Sequence, residues 1–256
     1  MGSGVYWQVE GHGRDVVLVH GWGMNGAVWE STVERLKPHH CVHVVDLPGY
    51  GHSASCHAAT LEEIAQQLVV GAPKNAIWVG WSLGGLVATH MAMYHPAYVS
   101  KLVTVASSPK FAAEPRWRGI QPPVLSAFTA QLLTDFQLTI ERFMALQAMG
   151  SPTARQDVKW LKQAVLSRPA PDPNALLAGL AMLAEIDLRS ELTRLSLPFL
   201  RLYGRLDSLV PRQAIEEIDF LAKQSDSYVF EKASHAPFIS QPEQFSDYLL
   251  SWLTSS

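Results

Sequence analysis

Short apolar runs alternate with helix-like stretches through both ends of this 256-residue chain. VVLVHG (16–21), CVHVVDL (41–47), AIWVGW (76–81), KLVTVAS (101–107), PFLRLYG (198–204) and SYVFEKA (227–233) are rich in β-branched and aromatic residues and end in small or polar ones. That is the pattern of short buried strands. Leu61 to Val70, Leu83 to His95, Arg212 to Ala222 and Pro242 to Leu253 instead carry apolar positions at helical spacing. Strand and helix in alternation predict an α/β fold, a mostly parallel sheet with helices on both faces.

From about Ser108 to Leu197 the alternation stops. AFTAQLL, FQLTIERFMALQAM, TARQDVKWLKQAVL and NALLAGLAMLAEI follow one another as helix-like stretches, punctuated by IQPP, GSP and RPAPDP. We expect residues 108–197 to form a helical cap inserted into a catalytic domain built from 1–107 and 198–256. Such an insertion would lie over the carboxyl ends of the strands, where open α/β sheets hold their ligands. Ordinary crossover helices are the alternative reading.

Composition narrows the class. Hydrophobic residues make up 48% of the chain and charged ones 17%, enough to bury a full core and too apolar for disorder. A net charge of −3 argues against general nucleic-acid binding, which calls for a basic excess. The opening MGSGVYWQVEGHGRD has neither a basic nor an apolar targeting region, and no run is long enough to span a bilayer. Tyr6 stands where an N-myristoylation pattern needs Ser or Thr. Cys41 and Cys56 are too few for a disulfide framework. The expectation is a monomeric cytoplasmic protein with reduced cysteines.

The candidate chemistry centres on AIWVGWSLGGLVATHMA (76–92), where Gly80, Ser82 and Gly84 fit Gly-x-Ser-x-Gly. This motif sets a serine on a strained turn between strand and helix, with its hydroxyl exposed for attack. A serine nucleophile needs a base, and the base needs a carboxylate to fix its tautomer. In this architecture the order is Ser, acid, His. Of the histidines after Ser82, His90 and His95 lie on the helix leaving the turn, which leaves His235 in KASHAPF. Asp207 directly follows the strand-like PFLRLYG and is the expected acid; Asp187 is the runner-up.

An oxyanion hole would take one donor from the Leu83 amide and a second from the loop LVHGWGMN (18–25). Gly21 and Gly23 free that backbone to turn, and the Trp22 amide is the expected donor, its indole lining the acyl side of the pocket. A buried core tryptophan is the alternative. No metal site is expected: we read strand alternation as separating His39, His40, Cys41 and His43, and no metalloprotease spacing occurs.

These motifs identify a family resemblance. HGWGMN, VVDLPGYGHS, WVGWSLGGLVA, LVTVASSPKF, ERFMALQAMG, PFLRLYGRLDSLVP and HAPFISQP run almost end to end. The chain resembles the α/β-hydrolases, and within them the pimeloyl-acyl carrier protein methyl ester esterases of biotin synthesis. Trp81 beside the serine, with HGWG and ERFMALQAMG, is the more specific combination. The resemblance implies hydrolysis of a pimeloyl methyl ester carried on acyl carrier protein, without a cofactor. It further implies that Ser82, His235 and Asp207 are catalytic and that Trp22 and Leu83 hold the oxyanion. Phe143, Met144, Ala145, Leu146 and Gln147 would line the substrate channel, although helical spacing leaves Phe143 and Met144 open to core packing. A general short-chain carboxylesterase or a C–C bond hydrolase would use the same triad, whereas a non-catalytic binding protein on this fold is expected to have lost a triad member.

Charge adds one expectation about partners. Residues 108–197 hold ten Lys and Arg against eight Asp and Glu, and between Arg142 and Arg168 five basic residues meet only Asp157. Arg155, Lys159 and Lys162 recur at i, i+4 and i+7, beside the apolar Ala154, Val158 and Leu161. Acyl carrier protein is acidic, so Arg142, Arg155, Lys159 and Lys162 are the expected carrier-docking surface. A solvated face without a partner is the alternative.

Overall fold

A computed structural model describes residues 4–254; the Met1-Gly2-Ser3 opening weighed above lies outside the described residues. In chain order the elements are β1 (Trp7–Gly11), β2 (Arg14–Val19), α1 (Glu30–Leu36), β3 (His40–Val45), α2 (Leu61–Leu68), β4 (Ala76–Trp81), α3 (Leu83–Tyr94) and β5 (Val99–Val105). There follow α4 (Pro122–Leu132), α5 (Phe136–Ala148), α6 (Ala154–Leu166), α7 (Pro173–Glu185) and α8 (Arg189–Leu192). The chain closes with β6 (Phe199–Gly204), α9 (Arg212–Leu221), β7 (Asp226–Phe230), α10 (Pro237–Ser240) and α11 (Pro242–Thr254).

The seven strands form one sheet in the order β1-β3-β2-β4-β5-β6-β7. Only β1 runs antiparallel, against β3; the other five pairings are parallel. All six residues of β4 and of β6 are buried, as continuous apolar strands covered on both faces must be. Helix α3 is buried over Leu83–Ala92 and packs against β4 and β5.

Five helices, α4 to α8, separate β5 from β6. Their starts follow from local chemistry. Asp135 caps α5 by accepting from the Leu138 amide at 2.9 Å, and Asp172, followed by Pro173, caps α7 through the Asn174 amide at 3.0 Å. The insert sits on the strand ends: Tyr50 Oη donates to the Ala175 carbonyl of α7 at 3.1 Å, and the rings of Trp22 and Phe143 of α5 meet edge-on at 4.7 Å between centroids. No helix among the described residues is long and apolar enough to cross a membrane.

Candidate active site

Parallel strands deliver their carboxyl ends to one rim, and the candidate residues collect there. The turn from β4 to α3 sets Ser82 at φ 55 and ψ −118, a conformation that costs a non-glycine residue about 1–3 kcal/mol. Its neighbours hold the strain. The Ser82 amide donates to the Val105 carbonyl at 2.9 Å, and the Ser82 carbonyl accepts from the Gly85 amide at 2.9 Å and from Ser107 Oγ at 2.8 Å. The flanking glycines are steric necessities, since a Cβ at Gly80 would lie 2.1 Å from the Gly84 carbonyl oxygen and one at Gly84 2.4 Å from that of Val19.

From Ser82 a hydrogen-bonded chain runs across three strand ends. Ser82 Oγ is 2.9 Å from His235 Nε2, and His235 Nδ1 is 2.8 Å from Asp207 Oδ2. A carboxylate only accepts, so Nδ1 carries the proton and Nε2 is left to accept from the serine hydroxyl. The second Asp207 oxygen accepts from the amides of Leu209 and Val210 at 2.8 and 3.1 Å, which locks the carboxylate just after β6. The His235 and Asp207 side chains are fully buried, and Ser82 is 1% exposed. The chain is closed off from solvent in this conformation.

Asp187, the other acid weighed from sequence, is elsewhere: it pairs with Arg189 and Lys110 beside α8. The Leu83 and Trp22 amides have no hydrogen-bond partner among the described residues, which leaves both donors available. The loop carrying Trp22 is held by His20. Leu47 N donates to His20 Nε2 at 3.0 Å, so Nδ1 carries the proton and donates to the Gly21 carbonyl at 2.8 Å. Burial pushes this imidazole down to about 4. The Trp22 indole is fully buried and donates to the Leu176 carbonyl of α7 at 2.8 Å, so its N–H serves the insert.

On α5, Phe143, Met144 and Gln147 are buried, Leu146 is half-buried and Ala145 is exposed. The Gln147 amide nitrogen and oxygen are both buried without a partner among the described residues. The basic stretch resolves into different environments. Arg142, Arg155 and Lys159 are exposed with no ion pair among the described residues, whereas Lys162 is paired with Glu141. Arg168 turns inward, its guanidinium on the fully buried Asp46 at 2.7 Å.

One sequence expectation needs correcting. Alternation does place His40 opposite its neighbours, but residues two apart share a face, and Cys41 and His43 point the same way with Asp15 of β2 beside them. Two contacts at the candidate site were not readable from sequence, one of them made by Trp81, which the motifs single out without a role. The Trp81 indole donates to the His235 carbonyl at 2.8 Å, and Ser234 Oγ donates to the Met149 carbonyl just after α5 at 2.9 Å.

Residues 16–242 match the model of a family described by its alpha/beta hydrolase fold. The chain belongs to the α/β-hydrolase family. Within it, this α/β-hydrolase is 68% identical over 254 residues to the pimeloyl-acyl-carrier-protein methyl ester esterase of Vibrio cholerae serotype O1, covering 99% of this chain and all of the relative. It is 58% identical over 253 residues to the protein of the same name from Aliivibrio fischeri, covering 99% and 98%. Among solved structures it is similar to a thermophilic esterase from Thermogutta terrifontis, with TM-score 0.82 and 26% identity over 97% of this chain and 92% of the other. The bromoperoxidase of Bacillus anthracis, at TM-score 0.88 and 18% identity over 98% and 95%, shares the fold alone.

Proposed function

We propose that this α/β-hydrolase is a serine carboxylesterase that hydrolyses the methyl ester of pimeloyl-acyl carrier protein, the step the resemblance assigns to biotin synthesis. The observation that carries the reading is the unbroken Asp207–His235–Ser82 hydrogen-bond chain, found in a protein aligned end to end with an esterase of that name.

Ser82 Oγ attacks the ester carbonyl while His235 Nε2 takes its proton, and the same proton then leaves with methoxide as methanol. Water, deprotonated by His235, attacks the acyl-serine; the serine oxygen recovers a proton and the free carboxylate departs. Asp207 keeps the imidazole in the required tautomer and stabilises the imidazolium. The unpartnered Leu83 and Trp22 amides hold the oxyanion formed in both steps. This scheme uses no cofactor, and the proposal keeps the expected cytoplasmic monomer.

In this reading residues 1–107 and 198–256 form the catalytic domain and 108–197 the cap. Of the Phe143 to Gln147 stretch, the buried Phe143, Met144 and Gln147 form the channel wall, with the unpaired Gln147 side-chain amide as its polar element, while exposed Ala145 lies on the outer face. Exposed Arg142, Arg155 and Lys159 attract the acidic carrier, with Lys162 contributing less because Glu141 already neutralises it. The test compares carrier-bound pimeloyl methyl ester with short p-nitrophenyl esters. A kcat/KM at least tenfold higher on the carrier-bound ester is expected; equal or better turnover of the small esters would make the protein a general carboxylesterase.

A further inference from the structure

At the amino-terminal ends of the strands, away from Ser82, three side chains of different chemistry converge on one point. Asp15, the second residue of β2, pairs in register with Cys41 of β3, two residues before His43, so all three project from one face of the sheet. His43 Nε2 lies 2.7 Å from Asp15 Oδ1 and 3.4 Å from Cys41 Sγ, and the three candidate ligand atoms all fall within 4.8 Å of one another. Each residue is partly exposed. On the β1 side Cys41 is opposite Gly11, which has no side chain to cover it.

We propose that Asp15, Cys41 and His43 form a binding site for a thiophilic divalent cation of the zinc class, with water as the fourth ligand. A thiolate, an imidazole and a carboxylate together suit zinc rather than a hard cation such as magnesium. Zinc holds sulfur at about 2.3 Å and imidazole nitrogen at about 2.0–2.1 Å, which in a tetrahedron separates them by about 3.5 Å. The 3.4 Å between Cys41 Sγ and His43 Nε2 already fits. The shorter Asp15 contact must open to about 3.4 Å, a swing available to a carboxylate side chain that is 37% exposed. Binding releases the thiol proton to solvent and joins the rigid starts of β2 and β3. Counting from Asp15 to Val19, the site lies about 13 Å along β2 from the rim that bears the triad.

The test is a Co²⁺ titration of the full chain, followed by competition with Zn²⁺. One equivalent of cobalt is expected to give a near-ultraviolet thiolate-to-metal charge-transfer band that zinc abolishes. Cys41→Ser should remove the band, and His43→Gln and Asp15→Asn should weaken binding at least tenfold. Cys56→Ser should leave it unchanged, and all four variants should keep wild-type ester hydrolysis, showing that they fold. Absence of the band in the wild type overturns the proposal. So does a band that survives Cys41→Ser, or one lost instead on substituting Glu62, His90 or His95, the other ligand-type cluster among the described residues.

Discussion

The indole N–H of Trp81 donates to the main-chain carbonyl of His235 at 2.8 Å. Trp81 precedes Ser82, the proposed nucleophile, and His235 is its proposed base, so one bond spanning 154 residues ties the two halves of the candidate site together. Both partners are fully buried, and a buried carbonyl stripped of its donor costs about 1–3 kcal/mol.

Trp81→Phe keeps the ring and removes the donor. The expected result is a stability loss of about 1–3 kcal/mol and a kcat that falls more than KM rises, because the imidazole is less well placed against Ser82. Denaturant unfolding and steady-state kinetics on a small ester check both parts; unchanged kcat would reduce the bond to packing.

Arg168 closes the insert onto the core. Asp46, fully buried, accepts from the Gly26 and His52 amides and from Arg168. Arg168→Ala leaves the carboxylate its backbone donors but no cation, and a loss of about 3 kcal/mol is expected, the low end for a broken buried pair. Lys159→Ala, a change at an unpaired surface cation, should cost under about 0.5 kcal/mol. Comparison of urea midpoints separates the two.

His20 makes stability pH-dependent. Burial holds its folded imidazole at about 4 against an ordinary 6.5, so between those values the unfolded chain binds the extra proton. Stability from this group is therefore full above about 6.5 and is lost as pH falls toward 4. Denaturant midpoints at pH 7 and pH 5 should differ less in His20→Gln than in the wild type; identical slopes would remove His20 from the account.

Six of the seven strands and the run of helices between β5 and β6 were legible as hydrophobic pattern. Strand β1 was not, because WQVEG lies at an edge where no residue is fully buried and its apolar positions make no continuous run. Helices α8 and α10 have four residues each, too short for a period to register. The spacing and order of Ser82, Asp207 and His235 picked out the residues that the fold then brings into one hydrogen-bond chain. The long-range supports were invisible: Trp81 to His235 and Asp46 to Arg168 are separated by 154 and 122 residues, and nothing local distinguishes them from packing. Cys41 and His43 were legible but misread, since a period of two unites them.

The proposed carrier surface has its own signature. Arg142→Glu combined with Arg155→Glu should raise KM for carrier-bound ester severalfold and change turnover of a small p-nitrophenyl ester little. Added salt should produce the same loss in the wild type, as expected for steering by exposed charge. Equal loss on both substrates would point to damage in α5 and α6 instead.

Detection of the acyl-enzyme tests Ser82 as the nucleophile most directly. On rapid mixing with carrier-bound pimeloyl methyl ester, mass spectrometry should find the pimeloyl chain, still thioesterified to the carrier, joined by its other carboxyl to Ser82 of the wild type, with release of methanol. Ser82→Ala should form no adduct while keeping its fold, and Asp207→Asn should form it at least about a thousandfold more slowly. Near-wild-type methanol release by Ser82→Ala, or an adduct on another residue, would contradict the account.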